Sequence, residues 1–250
     1  AGSDLLLFAF LFVLFWSSLL NGLAHRLLKE RALLDYKPRC RSCDEYLAWY
    51  DAIPLISFMI FGGKCRLCKL HHSLLYPLLE VFDAGILSAL FYVNSASYGA
   101  ILWGTFLPQF FFVSALLLAL RTDLEEFVIL RVSSLYLIPV WLVCAFFGVL
   151  KVDFITSFSG ALFGYALPWF AGWLYHKMRG VNGIGEGDFE FLGMIGAFLG
   201  PIRMLDVLVI ACIIAVVAGI FVAVATRSPR NVRLPFAPFL VAGALIALFS

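Results

Sequence analysis

Residues Val207–Thr226 read VLVIACIIAVVAGIFVAVAT, a run of 20 positions without a single charge. Crossing the hydrocarbon core of a bilayer as a helix takes about 20 mainly apolar residues, so this segment reads as a membrane span. Similar runs recur at Leu5–Leu23, Leu74–Val93, Ala100–Leu120, Phe127–Phe147, Phe154–Tyr175 and Pro235–Phe249, with a shorter one starting near Phe189. Phe189–Leu199 is too short to cross alone and must continue through Pro201 with a kink or stop partway. The chain is 63% hydrophobic and only 14% charged, with a mean hydropathy of +0.98. That balance excludes a soluble domain and predicts an all-α polytopic membrane protein of about eight transmembrane helices. The first apolar run has no basic segment before it and is preceded by Asp4, so it reads as a span rather than a cleaved signal. Ala1-Gly2-Ser3 reads as a cloning remnant.

The formal net charge of +2 decides little, because distribution matters more than sum in a membrane protein. Between the first two spans lie Arg26, Lys29, Arg31, Lys37, Arg39, Arg41, Lys64, Arg66 and Lys69. With the alternation of spans, Arg121, Arg131, Lys177, Arg179, Arg227, Arg230 and Arg233 fall on the same side, and only Lys151 and Arg203 on the other. Sixteen against two places that side in the cytoplasm and both termini outside.

On the cytoplasmic side this reading places two aspartates. Asp123 follows the third span in Arg121-Thr122-Asp123-Leu124-Glu125-Glu126, and Asp188 closes Gly185-Glu186-Gly187-Asp188 before the sixth. An ionisable group beside a span is a functional-site hypothesis by default. Two carboxyls close together share one proton, so one can activate water while the other protonates a carbonyl oxygen or leaving amine. That chemistry hydrolyses a peptide bond without a covalent intermediate. The glycines Gly185 and Gly187 allow positive φ and close backbone approach, which suits a loop admitting an extended peptide. Plainer roles exist for each residue: Asp123 paired with Arg121 or Arg131, and Asp188 capping the helix that follows. Glu125, Glu126, Glu186 and Glu190 read as solvated headgroup-level charges, and Asp153 and Asp206 as loop residues on the outer side.

Cys40-Arg41-Ser42-Cys43 and Cys65-Arg66-Leu67-Cys68 form two CxxC knuckles with 21 residues between them. Four thiolates so spaced suit a closed, structural Zn2+ site in a loop with little core of its own. Two disulfide or redox pairs are the alternative, disfavoured by a reducing cytoplasm. His71 and His72 read as surface residues, Ile53–Phe61 as an interfacial segment, and Cys144 and Cys212 as packing residues within spans. The expected organisation is a first transmembrane helix (4–23), a small cytoplasmic zinc-binding loop domain (24–73) and a membrane-embedded helical core (74–250).

Taken in order, several segments resemble the type IV prepilin peptidases, the bifunctional leader peptidase/N-methyltransferases of the GxGD aspartyl protease class. They are Ser17–Asn21 with His25-Arg26, Cys40 through Cys68 with Trp49–Pro54 between, and Tyr76–Glu80. Gly185–Asp188 with Ile195-Gly196 and Gly200, and Leu234–Phe239, complete the set. The resemblance implies catalytic roles for Asp123 and Asp188 and metal ligation by the four cysteines. It implies cleavage of prepilin or pseudopilin leaders at the cytoplasmic face of a bacterial inner membrane, in type IV pilus or type II secretion systems. It also implies methylation of the new N-terminus from S-adenosylmethionine; Asn21, His25 and Glu80 are candidates for that step only because they lie near the cysteine domain. The chain departs from the family where a Pro-Asp pair is frequent, at Leu130-Arg131, and where a Lys is usual, at Glu190. Losing that cation and gaining an acid is expected to raise neighbouring carboxylate pKa values. Two other functional readings are an ion-coupled transporter, which needs aspartates near the bilayer midplane, and a catalytically silent pilus-assembly scaffold.

Overall fold

The computed structural model describes residues 2–29, 40, 43, 45–46, 58, 60–71, 73–98, 103–180, 185–226 and 234–250. Most of Ile53–Phe61, together with Trp49–Pro54, His72, Val181–Ile184 and the loop residues Arg227, Arg230 and Arg233, lies outside them. The described elements are helical: α1 (Gly2–Leu28), α2 (Leu75–Tyr98), α3 (Trp103–Glu126), α4 (Leu137–Phe146), α5 (Phe154–Arg179), α6 (Glu186–Leu199), α7 (Pro201–Thr226) and α8 (Ala237–Phe249). Five of them (α1, α2, α3, α5 and α7) are long and apolar enough to cross a membrane. The protein is an all-α, multi-pass membrane protein, as its hydropathy predicts.

Two of the expected spans take a different form. The segment expected as Phe127–Phe147 is helical only from Leu137. Phe127 ends α3 with a left-handed φ of 56°, and the next residues form turns around the Leu130 carbonyl. That carbonyl is bonded by the Ser133 amide at 2.9 Å and the Ser133 hydroxyl at 2.8 Å. Polar groups satisfied locally in this way give the backbone an alternative to helix. The sixth segment stops rather than kinks: Gly200, at φ 84°, ends α6, and Pro201 opens α7.

The chain forms two compact units, Ala1–Phe110 and Phe111–Ser250. In the first, α1 and α2 pack antiparallel, since Ser17 meets Asp83 and Asn21 meets Glu80. Spacings of four on one helix and three on the other put each set on a single face. Phe110 packs, with tilted rings, against Trp16 at 5.3 Å and Phe106 at 5.8 Å, bringing the start of α3 into the same unit.

In the second unit α6 is the core. Every residue from Phe189 to Leu199 is buried. A helix apolar on all sides belongs inside a protein, which is why its sequence resembles a span although about 21 Å of helix cannot cross lipid. Glycines bring its backbone against α5: a Cβ on Gly160 would lie 2.1 Å from the Gly196 carbonyl oxygen, and one on Gly164 2.5 Å from that of Leu192. Small residues at such spacing let membrane helices touch backbone to backbone. The Ser157 hydroxyl adds a 2.6 Å bond to the Ala197 carbonyl. At the far end Phe198 stacks on Phe112 of α3 at 4.0 Å, with Trp141 of α4 edge-on to both rings. These contacts hold the helix that carries Asp188.

Candidate active site

Asp123 occupies the last turn of α3 and Asp188 the first turn of α6. Each therefore sits at the end of its helix. They line one cavity of about 920 Å³. Leu167, Pro168 and Ala171 of α5, Leu208 and Cys212 of α7, and Leu240 of α8 supply apolar walls. Phe127, Val128 and Ile129 form another wall, with Leu234, Pro235 and Phe236 also in the lining. An apolar cleft with a few convergent polar groups is the usual form of a binding site.

The two carboxyls are held differently. Asp123 is buried, and its Oδ2 accepts the Ala237 backbone N–H at 2.8 Å. That donor is in the first turn of α8, where free amides and the helix dipole favour an anion. Arg131, one of the two partners (with Arg121) that the plainer reading offered for Asp123, pairs instead with Glu190. Asp188 is half-buried and precedes the apolar run of α6. Burial, and then the charge of Asp123, push its pKa up to about 6. It is not the cap of its helix: Gly185 holds that position and Asp188 lies three residues in, its amide bonding the Gly185 carbonyl at 3.2 Å.

Gly185 has an ordinary φ of −75°, and neither it nor Gly187 adopts the left-handed conformation expected of a permissive loop. Close approach does hold at Gly187, where a Cβ would meet Ile129 Cβ at 3.1 Å.

Glu190 corrects the sequence expectation. It is not solvated but buried, with Arg131 Nε 3.5 Å from its Oε1 and the Ser134 hydroxyl 3.4 Å from its Oε2. The two departures from the family pattern thus face one another as an ion pair, so the added acid is opposed by an added cation. Arg121, counted among loop charges, is fully buried in α3. Asp206 is a helical residue of α7, and Asp153 stands at the N-cap position of α5, where its carboxyl accepts a hydrogen bond from the Thr156 hydroxyl.

In the unit Ala1–Phe110, the Sγ atoms of Cys40, Cys43, Cys65 and Cys68 all lie within 4.8 Å of one another, with Cys40 and Cys68 3.9 Å apart. A tetrahedron of sulfurs about 2.3 Å from a central zinc has edges of about 3.8 Å, so this donor set fits a zinc ion. The first cysteine of each knuckle makes the same kind of backbone bond: the Cys40 amide to the Glu45 carbonyl and the Cys65 amide to the Leu70 carbonyl, each at 2.9 Å. No disulfide forms among the described cysteines. His71 is exposed and outside the cluster.

The sequence reading missed Ala237, the Arg131–Glu190 pair and the buried polar pairs of α1 and α2. Carboxylates at Glu80 and Asp83 within an apolar span were signal enough for the last of these. Nothing local marks Ala237, whose role belongs to its backbone.

Residues 11–94 match the Bacterial Peptidase A24 N-terminal domain, and residues 110–220 match the Type IV leader peptidase family. A prepilin leader peptidase/N-methyltransferase of Stutzerimonas stutzeri is 30% identical over 216 residues, covering 84% of this chain and 70% of that protein. The chain belongs to the type IV leader peptidase family. A protein of the same name from Burkholderia pseudomallei is 28% identical over 84% of this chain, and the match spans 66% of that relative's length. One from Aeromonas hydrophila is 28% identical over 96% of this chain and 88% of its own. No solved structure matches. Both aspartates sit in terminal turns rather than mid-helix, so the transporter reading finds no support here.

Proposed function

We propose that this protein is a membrane aspartyl endopeptidase of the bacterial inner membrane that removes the leader of type IV prepilins or pseudopilins and then methylates the new N-terminus. One observation carries the reading: Asp123 and Asp188, 65 positions apart in sequence, line the same apolar-walled cavity. Asp188, with its raised pKa, keeps the shared proton and acts as general acid. Asp123, whose Oδ2 accepts the amide of Ala237, acts as general base. It takes a proton from water as the oxygen attacks the scissile carbonyl. Asp188 protonates the departing nitrogen as the C–N bond breaks, giving a carboxylic acid and a free amine. The substrate's apolar helix lies in the bilayer with its basic leader in the cytoplasm, drawn by Glu125, Glu126 and Glu186. S-adenosylmethionine, a co-substrate, would supply the methyl group: the amine nitrogen takes it from the sulfonium, S-adenosylhomocysteine leaves, and a proton passes to solvent.

The charge bias of the loop between α1 and α2 supports an active site facing the cytoplasm. Cys40, Cys43, Cys65 and Cys68 hold one structural Zn2+, which staples the loop between α1 and α2.

The test is to incubate detergent-solubilised full chain with a synthetic prepilin peptide and separate the products by mass. Cleavage is expected after the leader, and Asp123→Asn and Asp188→Asn each lose at least a thousandfold in rate. Full-rate processing by either variant removes the mechanism. Elemental analysis should find about one zinc per chain, lost in Cys65→Ser; metal-free protein of equal stability refutes the zinc assignment.

A further inference from the structure

The segment joining α3 to α4 is tied down at three places around the cavity. Its first amide, Phe127 N–H, bonds the carbonyl of Asp123 at 3.1 Å. Ile129 seats against Gly187, one residue before Asp188. Arg131 then reaches Glu190, two residues beyond Asp188. Between these ties the segment presents Phe127, Val128 and Ile129 to the cavity.

The third tie is unequal. The Glu190 side chain is 10% exposed and that of Arg131 62% exposed, so a cation on the surface covers a carboxylate within the protein. Surface ion pairs contribute little to folding, but removing the partner of a buried charge leaves that charge uncompensated. Ser134, buried beside Glu190, shares its single hydroxyl proton between the Leu130 carbonyl at 3.2 Å and Glu190 at 3.4 Å. It cannot replace the arginine. Elsewhere the segment is held by Ile129 against Gly187 and by local turns. By contrast α6 is fixed by glycine-mediated packing on α5, and Asp123 by the α8 amide, so neither aspartate depends on the pair.

We propose that Arg131–Glu190 is a positioning pair that seats the Phe127–Ile129 wall on α6 and so sets substrate affinity, not the chemical step. The assignment rests on the cavity being the peptidase site. A wall that touches substrate equally in ground and transition states changes KM and leaves kcat alone.

Kinetics on the synthetic prepilin peptide should show KM raised about tenfold in Arg131→Gln and in Glu190→Gln, with kcat within about twofold of the parent. The charge-swapped double variant Arg131→Glu/Glu190→Arg should return KM to within about threefold, which a purely structural loss at either site would not do. A second readout needs no substrate: amide hydrogen exchange across 128–134 in the solubilised full chain should quicken about tenfold in each single variant and slow again in the swap. Unchanged exchange and KM in the single variants, a fall in kcat at constant KM, or a swap no better than its parents overturns the proposal. A parent chain that cleaves nothing while exchange behaves as stated overturns the peptidase reading and leaves the positioning pair standing.

Discussion

Two pairs of acidic residues lie in apolar helices of this protein, and they are treated in opposite ways. In the first unit Asp83 and Glu80 face α1, where Ser17 donates to one at 3.0 Å and Asn21 to the other at 2.7 Å. Both carboxyls are buried against the facing helix. In the second unit Asp123 and Asp188 share a cavity, and burial, then the charge of Asp123, raises the pKa of Asp188. A carboxylate closed off by a side-chain donor contributes to helix pairing. One left beside open space and a like charge is available to a ligand, at a cost in stability.

Substitution should separate the two behaviours. The largest effect is that on cleavage by the aspartate variants described above, and neither should lower the unfolding temperature, because each removes repulsion. Asp83→Ala should do the reverse. It leaves the fully buried Ser17 hydroxyl without this acceptor, which costs about 1–3 kcal/mol, while cleavage stays within about threefold. Ser17→Ala should cost about the same, and the double variant less than the sum of the two, as a coupled pair requires. Thermal unfolding in detergent checks this; additive losses would mean that the pair carries nothing.

The sequence reaches some parts of this arrangement and not others. Hydropathy located each of α1 to α8, because lipid demands apolar runs of a certain length. It did not separate α6 from a true span, since burial inside protein and burial in lipid select the same residues. Cysteine spacing led directly to the sulfur cluster, because ligand geometry is local to each knuckle. Asp123 and Asp188 stand out as charges beside apolar runs, whereas their shared cavity depends on the packing of α5, α7 and α8 around them. Glu190 was misread as solvated because its partner Arg131 lies 59 positions away in sequence, which no local pattern registers. The amide of Ala237 is invisible in any sequence reading that follows side chains.

The smallest expected effect is a dependence on pH that only the open pair should show. Asp188 has a pKa of about 6 in the folded protein, against about 3.9 for an unfolded chain. Below pH 4 both states carry the proton and the group does not destabilise the fold. As pH rises toward 6 the unfolded state releases its proton first, and stability falls until the folded state has ionised too, near pH 7. Asp188→Asn cannot ionise, so its advantage in unfolding temperature over the parent should appear above pH 4 and widen to about 2–4 °C by pH 7.5. Half-exposure of the group holds the effect to that size. Asp123→Asn should give a smaller gain, because it removes the neighbouring charge and leaves the burial. Parallel pH profiles for the parent and Asp188→Asn would show that the second pair is as well compensated as the first, and the contrast between the two regions would be lost.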